Sequence, residues 1–195
     1  MNKTNAVRKI SLLTGIVLIV GSLAFLIMYM ISSNGEKVDT EKAVDFIKSV
    51  IPPKTVGIPE ERSNSNMPVV SFDGQDYAAL LNVPGCSAEL PVRSQWDKRM
   101  VKNVPCRFYG NPYDGTLVIG GTDKKGQFDF ITKIDIGDTV TVVDMKGYEF
   151  SYVVSAVRHA DNADAETIID EEYELTLFAK NDQTGGWVLV RCKTK

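Results

Sequence analysis

Residues 139–154, TVTVVDMKGYEFSYVV, decide the fold of this 195-residue chain. Apolar and polar residues alternate on both sides of Lys146-Gly147, and alternation with a period of two is typical of half-buried β-strands. A short glycine-containing connection between two such runs predicts a β-hairpin. The stretch therefore indicates an antiparallel, mainly β protein.

Short apolar or alternating runs separated by turn residues fill the rest of the chain from about residue 69, as in all-β barrels and sandwiches. We expect a β domain over residues 69–195. Its predicted strands are residues 77–83, 89–92, 117–120, 139–144, 149–157, 173–179 and 188–192, with a weaker one at 167–169. Two helical features are also expected, namely a helix over residues 94–103 capped by Ser94 and a turn over residues 128–134.

The N-terminal region predicts a membrane anchor. Residues 10–31, ISLLTGIVLIVGSLAFLIMYMI, contain neither charge nor proline, and as a helix they would extend about 33 Å, enough for a hydrocarbon core of about 30 Å. A cleaved signal peptide would end in small residues after a shorter apolar run. Three basic residues in segment 1–9 and the acidic EKVDTE after the run place the N-terminus in the cytoplasm and the β domain outside the cell membrane.

Residues 32–68 predict a short helix followed by a stalk. Asp39 or Thr40 can cap a helix whose apolar positions include Ala43 and Ile47, and Pro52-Pro53 would end it. The following residues, 54–67, are rich in Pro, Ser, Asn and charge, without a sustained period. This composition is typical of a linker.

Residue types exclude several function classes. From Glu36 onward there are 25 acidic and 19 basic residues, which argues against a nucleic-acid partner. Metal-ligand and nucleotide-binding motifs are missing, so no cofactor or metal is predicted. Seven acids between residues 161 and 174 leave a calcium site open beside an ordinary solvated loop. The single His159 is expected on the surface, and Gly120-Gly121 in a tight turn or close backbone packing.

Four segments, at residues 76–92, 104–122, 126–154 and 174–192, together resemble a sortase, the membrane-anchored cysteine transpeptidase of Gram-positive cell surfaces. They are DYAALLNVPGCSAELPV, VPCRFYGNPYDGTLVIGGT, GQFDFITKIDIGDTVTVVDMKGYEFSYVV and ELTLFAKNDQTGGWVLVRC. The resemblance is closest to the class B or class D-like sortases of Firmicutes. It implies an eight-stranded closed barrel with short helices, one N-terminal transmembrane helix, and a groove that holds a peptide sorting signal.

The three catalytic identities of that family are replaced in this chain. The resemblance places Thr122 at the position of the catalytic His, Lys180 at that of the Cys and Trp187 at that of the Arg, with Ala179 at the preceding Thr. Threonine does not titrate near neutrality and cannot act as the acid or base. A neutral indole cannot stabilise an oxyanion as a guanidinium does. The resemblance, together with these three replacements, implies a pseudo-sortase.

The retained role would be peptide binding or cell-surface assembly, with a sorting-signal peptide, a pilin or an active sortase as partner. Two alternatives stay open: a transpeptidase or peptidase that uses other residues such as Lys180, and a purely structural surface domain. The resemblance also implies a structural role or a disulfide bridge for Cys106 and Cys192, which leaves Cys86 unpaired. We further expect the Lys180 ammonium to lie against the Trp187 indole, and extension of Lys180 into solvent is the alternative.

Overall fold

The computed structural model describes the backbone of residues 3–53, 66–182 and 184–195, and their side chains except those of residues 3–14, 16 and 29–39. The chain divides into two compact units, residues 1–39 and 40–195. The first unit is helical, and its described apolar side chains from Val17 to Met28 are largely exposed. Of the expected stalk at residues 54–67, residues 54–65 lie outside the described residues.

Helix α1 (Lys3–Val50) is one continuous helix, so the prediction of a helix start at Asp39 or Thr40 is wrong. No proline occurs before Pro52, and every earlier residue can therefore donate a helical backbone hydrogen bond. The expected stop before Pro52-Pro53 is confirmed. Within the described residues, no helix combines the length and apolar character needed to cross a membrane.

Beyond α1, the described residues of the second unit form nine strands, one short helix and two 3₁₀ turns, at Pro84–Cys86 and Met100–Lys102. The strands are β1 (Val70–Phe72), β2 (Gln75–Val83), β3 (Ala88–Arg93), β4 (Cys106–Tyr109), β5 (Leu117–Thr122), β6 (Thr139–Asp144), β7 (Glu149–Ala160), β8 (Leu175–Lys180) and β9 (Trp187–Thr194), and α2 is Ala165–Ile168.

Eight of these strands close into a barrel, as expected. They follow the order β2-β3-β4-β5-β8-β9-β7-β6, and β6 returns to pair with β2, while β1 adds a short antiparallel hairpin to β2. The β5–β8 and β3–β4 pairings are parallel and all others are antiparallel. Because closure removes free sheet edges, most backbone polar groups of the barrel are paired within it.

The hairpin predicted from residues 139–154 is confirmed as β6 and β7. Gly147 adopts φ +82°, a left-handed conformation that suits glycine. The buried Asp144 carboxylate accepts hydrogen bonds from the backbone N–H groups of Lys146 and Tyr148, at 2.8 and 2.9 Å, and from the Tyr113 hydroxyl. These contacts fix the turn and fasten the β4–β5 connection to it.

Apolar side chains on alternate strand positions fill the inside of the barrel, together with the turns of residues 126–134. Phe128, Phe130, Ile131 and Ile134 are buried there, and backbone bonds such as Ile134 N to Phe130 O confirm the expected helical turn. A second cluster lies outside the barrel wall, where the last turns of α1 pack against β2.

Three local predictions are wrong or incomplete. Residues 94–103 are not a helix beginning at Ser94; they form a loop with one helical turn at Met100–Lys102. Asp97, and not Ser94, accepts the backbone N–H groups at the start of this turn, those of Arg99 and Met100. The weak strand at 167–169 is α2 and its end, capped by Asp164. The sequence pattern did not predict strands β1 and β4, because runs of three or four residues contain too few apolar–polar alternations to indicate a strand.

Candidate functional site

The ends of β5, β8 and β9 bring three predicted site positions into one row. Thr122 pairs with Lys180 across the parallel β5–β8 contact, and Lys180 pairs with Trp187 across the antiparallel β8–β9 contact. Adjacent strands lie about 4.8 Å apart, so the row spans roughly 10 Å. We call these three residues the site row. Strand pairing thus brings Lys180 and Trp187, which follow Thr122 in the sequence by 58 and 65 residues, into one row with it.

The side chains of the row differ in exposure. Lys180 is exposed, whereas Thr122 and Trp187 are half-buried. Ala179 alternates with Lys180 and is fully buried inside the barrel. Ala179 therefore belongs to the core, and of the four predicted positions only the three row residues face the outer side of the sheet.

Hydrogen bonds hold Thr122 in place. Its hydroxyl donates to Gln127 Oε1 at 2.9 Å, and Gln127 Nε2 donates to the carbonyl oxygen of Lys102 at 2.7 Å. The backbone N–H of Phe128 donates to the Thr122 carbonyl at 3.0 Å. Gln127 is buried, so both of its amide bonds are shielded from water and contribute to fixing the loop after β5.

Trp187 contacts an aromatic ring and not the lysine ammonium. Its ring centroid lies 6.1 Å from that of Phe178, and among the described side chains the cation–π pairs are those of Arg191 and Lys193 with Tyr173. The expected Lys180–Trp187 contact is therefore wrong, although the two residues share a face. Burying the indole against Phe178 removes apolar surface from water, while the exposed ammonium keeps its hydration.

An aromatic cluster that the sequence did not predict lies beside the row. The Trp96 ring contacts Phe108 edge-on at 5.1 Å and Phe178 at 5.6 Å, and Phe108 lies 5.3 Å from Phe178. A side-chain carbon at Gly120 would come within 2.5 Å of both Trp96 and Phe178. The expected close packing at Gly120-Gly121 is thus present. In the sequence, only the glycine pair indicated that other groups approach the backbone closely at this point.

His159 does not join the site row. It lies on β7 opposite Val188 of β9, whereas its neighbour Ala160 lies opposite Trp187. Because successive strand residues point to opposite faces, the His159 side chain leaves the backbone on the face opposite to the site row. Its exposure agrees with the expected surface position.

Cys106 and Cys192 are free, so the implied disulfide is wrong. Cys192 of β9 lies in the barrel interior, while Cys106 of β4 pairs with Gly120 of β5 and lies on the same outer face. Strands β5 and β8 separate them, a distance of about 14 Å at three strand spacings, too far for a bridge. Burial raises the pKa of the Cys192 thiol to about 12 and also raises the pKa values of Cys106 and Cys86.

The acidic segment 161–174 is held by an arginine. Arg191 of β9 is 3% exposed and donates to the carbonyl oxygen of Ile168 at 2.6 Å and to Thr176 Oγ1 at 2.8 Å. It also donates to the carbonyl oxygen of Thr167 and lies 4.0 Å from Asp170. Over the part of the chain that the structure describes, no group of three potential metal ligands comes together.

The row offers limited chemistry. A hydroxyl engaged with an amide, an exposed ammonium and an indole packed on Phe178 provide neither a nucleophile with an adjacent base nor a cation fixed beside a developing oxyanion. The neighbouring outer face of β5, β8 and β9 carries a buried apolar cluster, Val118, Phe178 and Leu189, against which Trp96, Phe108 and Trp187 pack.

Comparison with known proteins shows a sortase-like fold. Neither a protein-family model nor any curated protein matches the chain. Among solved structures, a sortase D5 transpeptidase from Clostridium perfringens matches with 15% identity and TM-score 0.54, over 62% of this chain and 79% of the other. Sortase C1 from Streptococcus agalactiae matches with 17% identity and TM-score 0.55, over 64% and 70%. Sortase A from Corynebacterium diphtheriae matches with 18% identity and TM-score 0.54, over 86% and 87%.

Proposed function

We propose that this protein is a catalytically inactive pseudo-sortase, of the class B or class D type, that binds a peptide on its barrel or assists cell-surface assembly. The observation that carries the proposal is the site row. Strand pairing makes Thr122, Lys180 and Trp187 neighbours, as three cooperating catalytic residues would have to be, yet none of them can do the required chemistry.

An enzyme that uses Lys180 is less favoured. A nucleophilic lysine requires surroundings that disfavour its charged form, as in an apolar pocket. Lys180 is exposed, and no such surroundings enclose it. A purely structural domain would leave the outer face unused, and peptide binding distinguishes the two roles.

The proposed location is the outer face of a Gram-positive cell membrane. Support comes from the charge-free residues 10–31, from the three basic residues that precede them, and from the exposed apolar side chains between Val17 and Met28. A partner in this setting would be a sorting-signal peptide, a pilin or an active sortase.

The test is a peptide-cleavage assay with the full chain and sorting-signal peptides. We expect no cleavage and no covalent acyl intermediate from the wild-type protein, since loss of one member of a catalytic constellation commonly costs about 10⁴ to 10⁶ in rate. The same peptides, labelled with a fluorophore, should bind without turnover. Cleavage that survives purification and disappears in Lys180→Ala would overturn the proposal.

A reconstruction supplies the matched control. The quadruple variant T122H/A179T/K180C/W187R should give the thiol at position 180 a lower pKa than the single variant K180C, because imidazolium and guanidinium groups stabilise a thiolate. The rate at which the thiol at position 180 is alkylated, measured over a range of pH values, gives its pKa in each of the two variants. Equal pH profiles would show that the row geometry does not bring the three positions into one site.

A further inference from the structure

Residues 94–104, which we call the strap, connect β3 to β4 and cover the outer face of the sheet. The carbonyl oxygen of Ser94 accepts from Arg107 Nε at 2.8 Å at one end. Near the other end, the carbonyl oxygen of Lys102 accepts from Gln127. Gln127 in turn holds the hydroxyl of Thr122. The strap is therefore fastened to the site row itself.

Trp96 is the residue through which the strap occupies this face. Its ring fills the space above Gly120, where a side-chain carbon would come within 2.5 Å of it. The ring is flanked by Phe108 and Phe178, and Phe178 continues to Trp187 in the row. An apolar or aromatic side chain of a bound peptide would need the same volume, so peptide and Trp96 exclude each other.

Two buried nitrogen atoms of Arg93, the residue directly before the strap, lower the stability of the closed state. Nε and Nη1 of Arg93 are buried and have no hydrogen-bond partner among the described residues. Hydrogen bonds from backbone N–H groups lower the pKa of the Asp97 carboxyl group, and Asp97 of the strap is close enough for the positive charge of Arg93 to contribute to this shift. Two buried N–H donors without hydrogen-bond partners disfavour the closed form, because water would accept from them on opening.

We propose that the strap is an autoinhibitory element: Trp96 occupies the peptide-binding face from within the chain, and a peptide with an apolar or aromatic side chain binds by displacing it. The closed state is held by the aromatic contacts and by the Gln127 bond, and the unpartnered Arg93 nitrogens oppose it. The role of the displaced face rests on the proposed function, whereas the opening of the strap does not.

Cys106 reports strap opening directly, because it is fully buried on the face that the strap covers. The experiment measures alkylation of full-length C86S protein, with mass spectrometry to assign each modified thiol. Replacing Trp96 with Ala, or Gly120 with Ala so that a methyl group displaces the ring, should raise the alkylation rate of Cys106 about tenfold or more, since lost aromatic packing of that size shifts an opening equilibrium by a factor of this order.

Cys192 in the barrel interior supplies the internal control for global unfolding. Gly121→Ala is the matched variant, because a side chain there would strike Phe128 inside the barrel and not Trp96. Faster alkylation of Cys106 alone, in W96A and G120A but not in G121A, supports the strap. Unchanged Cys106 alkylation in both variants, or alkylation of Cys106 and Cys192 together, would overturn it.

A peptide-binding arm separates this inference from the proposed function. If the strap opens and W96A binds a labelled sorting-signal peptide more tightly than wild type, both stand. If Cys106 becomes reactive and no variant binds peptide, the strap opens but the autoinhibitory role and the proposed peptide function fail. If peptide binds equally to wild type and W96A while Cys106 stays protected, the function stands and the strap inference fails.

Discussion

Arg191 shows how one side chain can organise a whole connection. Its guanidinium group reaches from β9 to two carbonyl oxygens of α2 and to the hydroxyl of Thr176, and it lies 5.8 Å from the centre of the Tyr173 ring. Burial lowers the pKa of this guanidinium, and the nearby Asp170 carboxylate opposes that shift. A surface segment rich in like charges is thereby pinned to the barrel.

Replacing Arg191 with Met should destabilise the protein by about 2–4 kcal/mol, because the buried carbonyl and hydroxyl groups lose donors that water cannot replace. Urea unfolding followed by tryptophan fluorescence measures the change. Arg158→Met, at an exposed position on the neighbouring strand β7, is the control and should change stability by less than about 0.5 kcal/mol. Equal losses in the two variants would contradict the anchoring role of Arg191.

At the scale of elements, the last turns of α1 are part of the barrel domain. Ala43 and Ile47 are fully buried against a cluster that includes Tyr77 and Leu80 of β2. Lys48 pairs with Glu89 of β3 at 2.6 Å, an exposed ion pair of small energetic value. The helix is therefore attached mainly through its apolar face.

The substitution Ile47→Ala should destabilise the full chain, held in detergent, by about 2–4 kcal/mol, because it removes a buried side chain from a packed cluster. Val50→Ala, one turn further along the same helix and 42% exposed, should cost far less. Guanidinium unfolding curves compare the two. A similar small effect for both would mean that the helix end packs too loosely to belong to the barrel domain.

At the scale of the whole molecule, barrel closure is what creates a candidate site. The β6–β2 contact completes the ring, and the parallel β5–β8 pairing sets the ends of β5, β8 and β9 side by side. The site row and the strap-covered face both result from this strand order.

If residues 10–31 are an uncleaved anchor with the barrel outside, protease added to intact cells without an outer membrane should remove the domain that follows them. The positive residues at the N-terminus are the physical reason for this orientation. Immunoblotting with antibodies against the barrel measures the loss, and a cytoplasmic protein serves as the control. Protection of the barrel would contradict the orientation, and a mature N-terminus near Ser32 would contradict anchorage.

Local chemistry in the sequence determined most of the barrel. Alternation at residues 139–154 and the glycine at position 147 specify the β6–β7 hairpin because a period of two and a left-handed turn are properties of the backbone itself. Tertiary structure decided what no local pattern contains. Gln127 meets Thr122 and Lys102, Trp96 fills the space above Gly120, and Cys106 and Cys192 lie apart on opposite faces, because strand order and closure bring distant residues together or separate them.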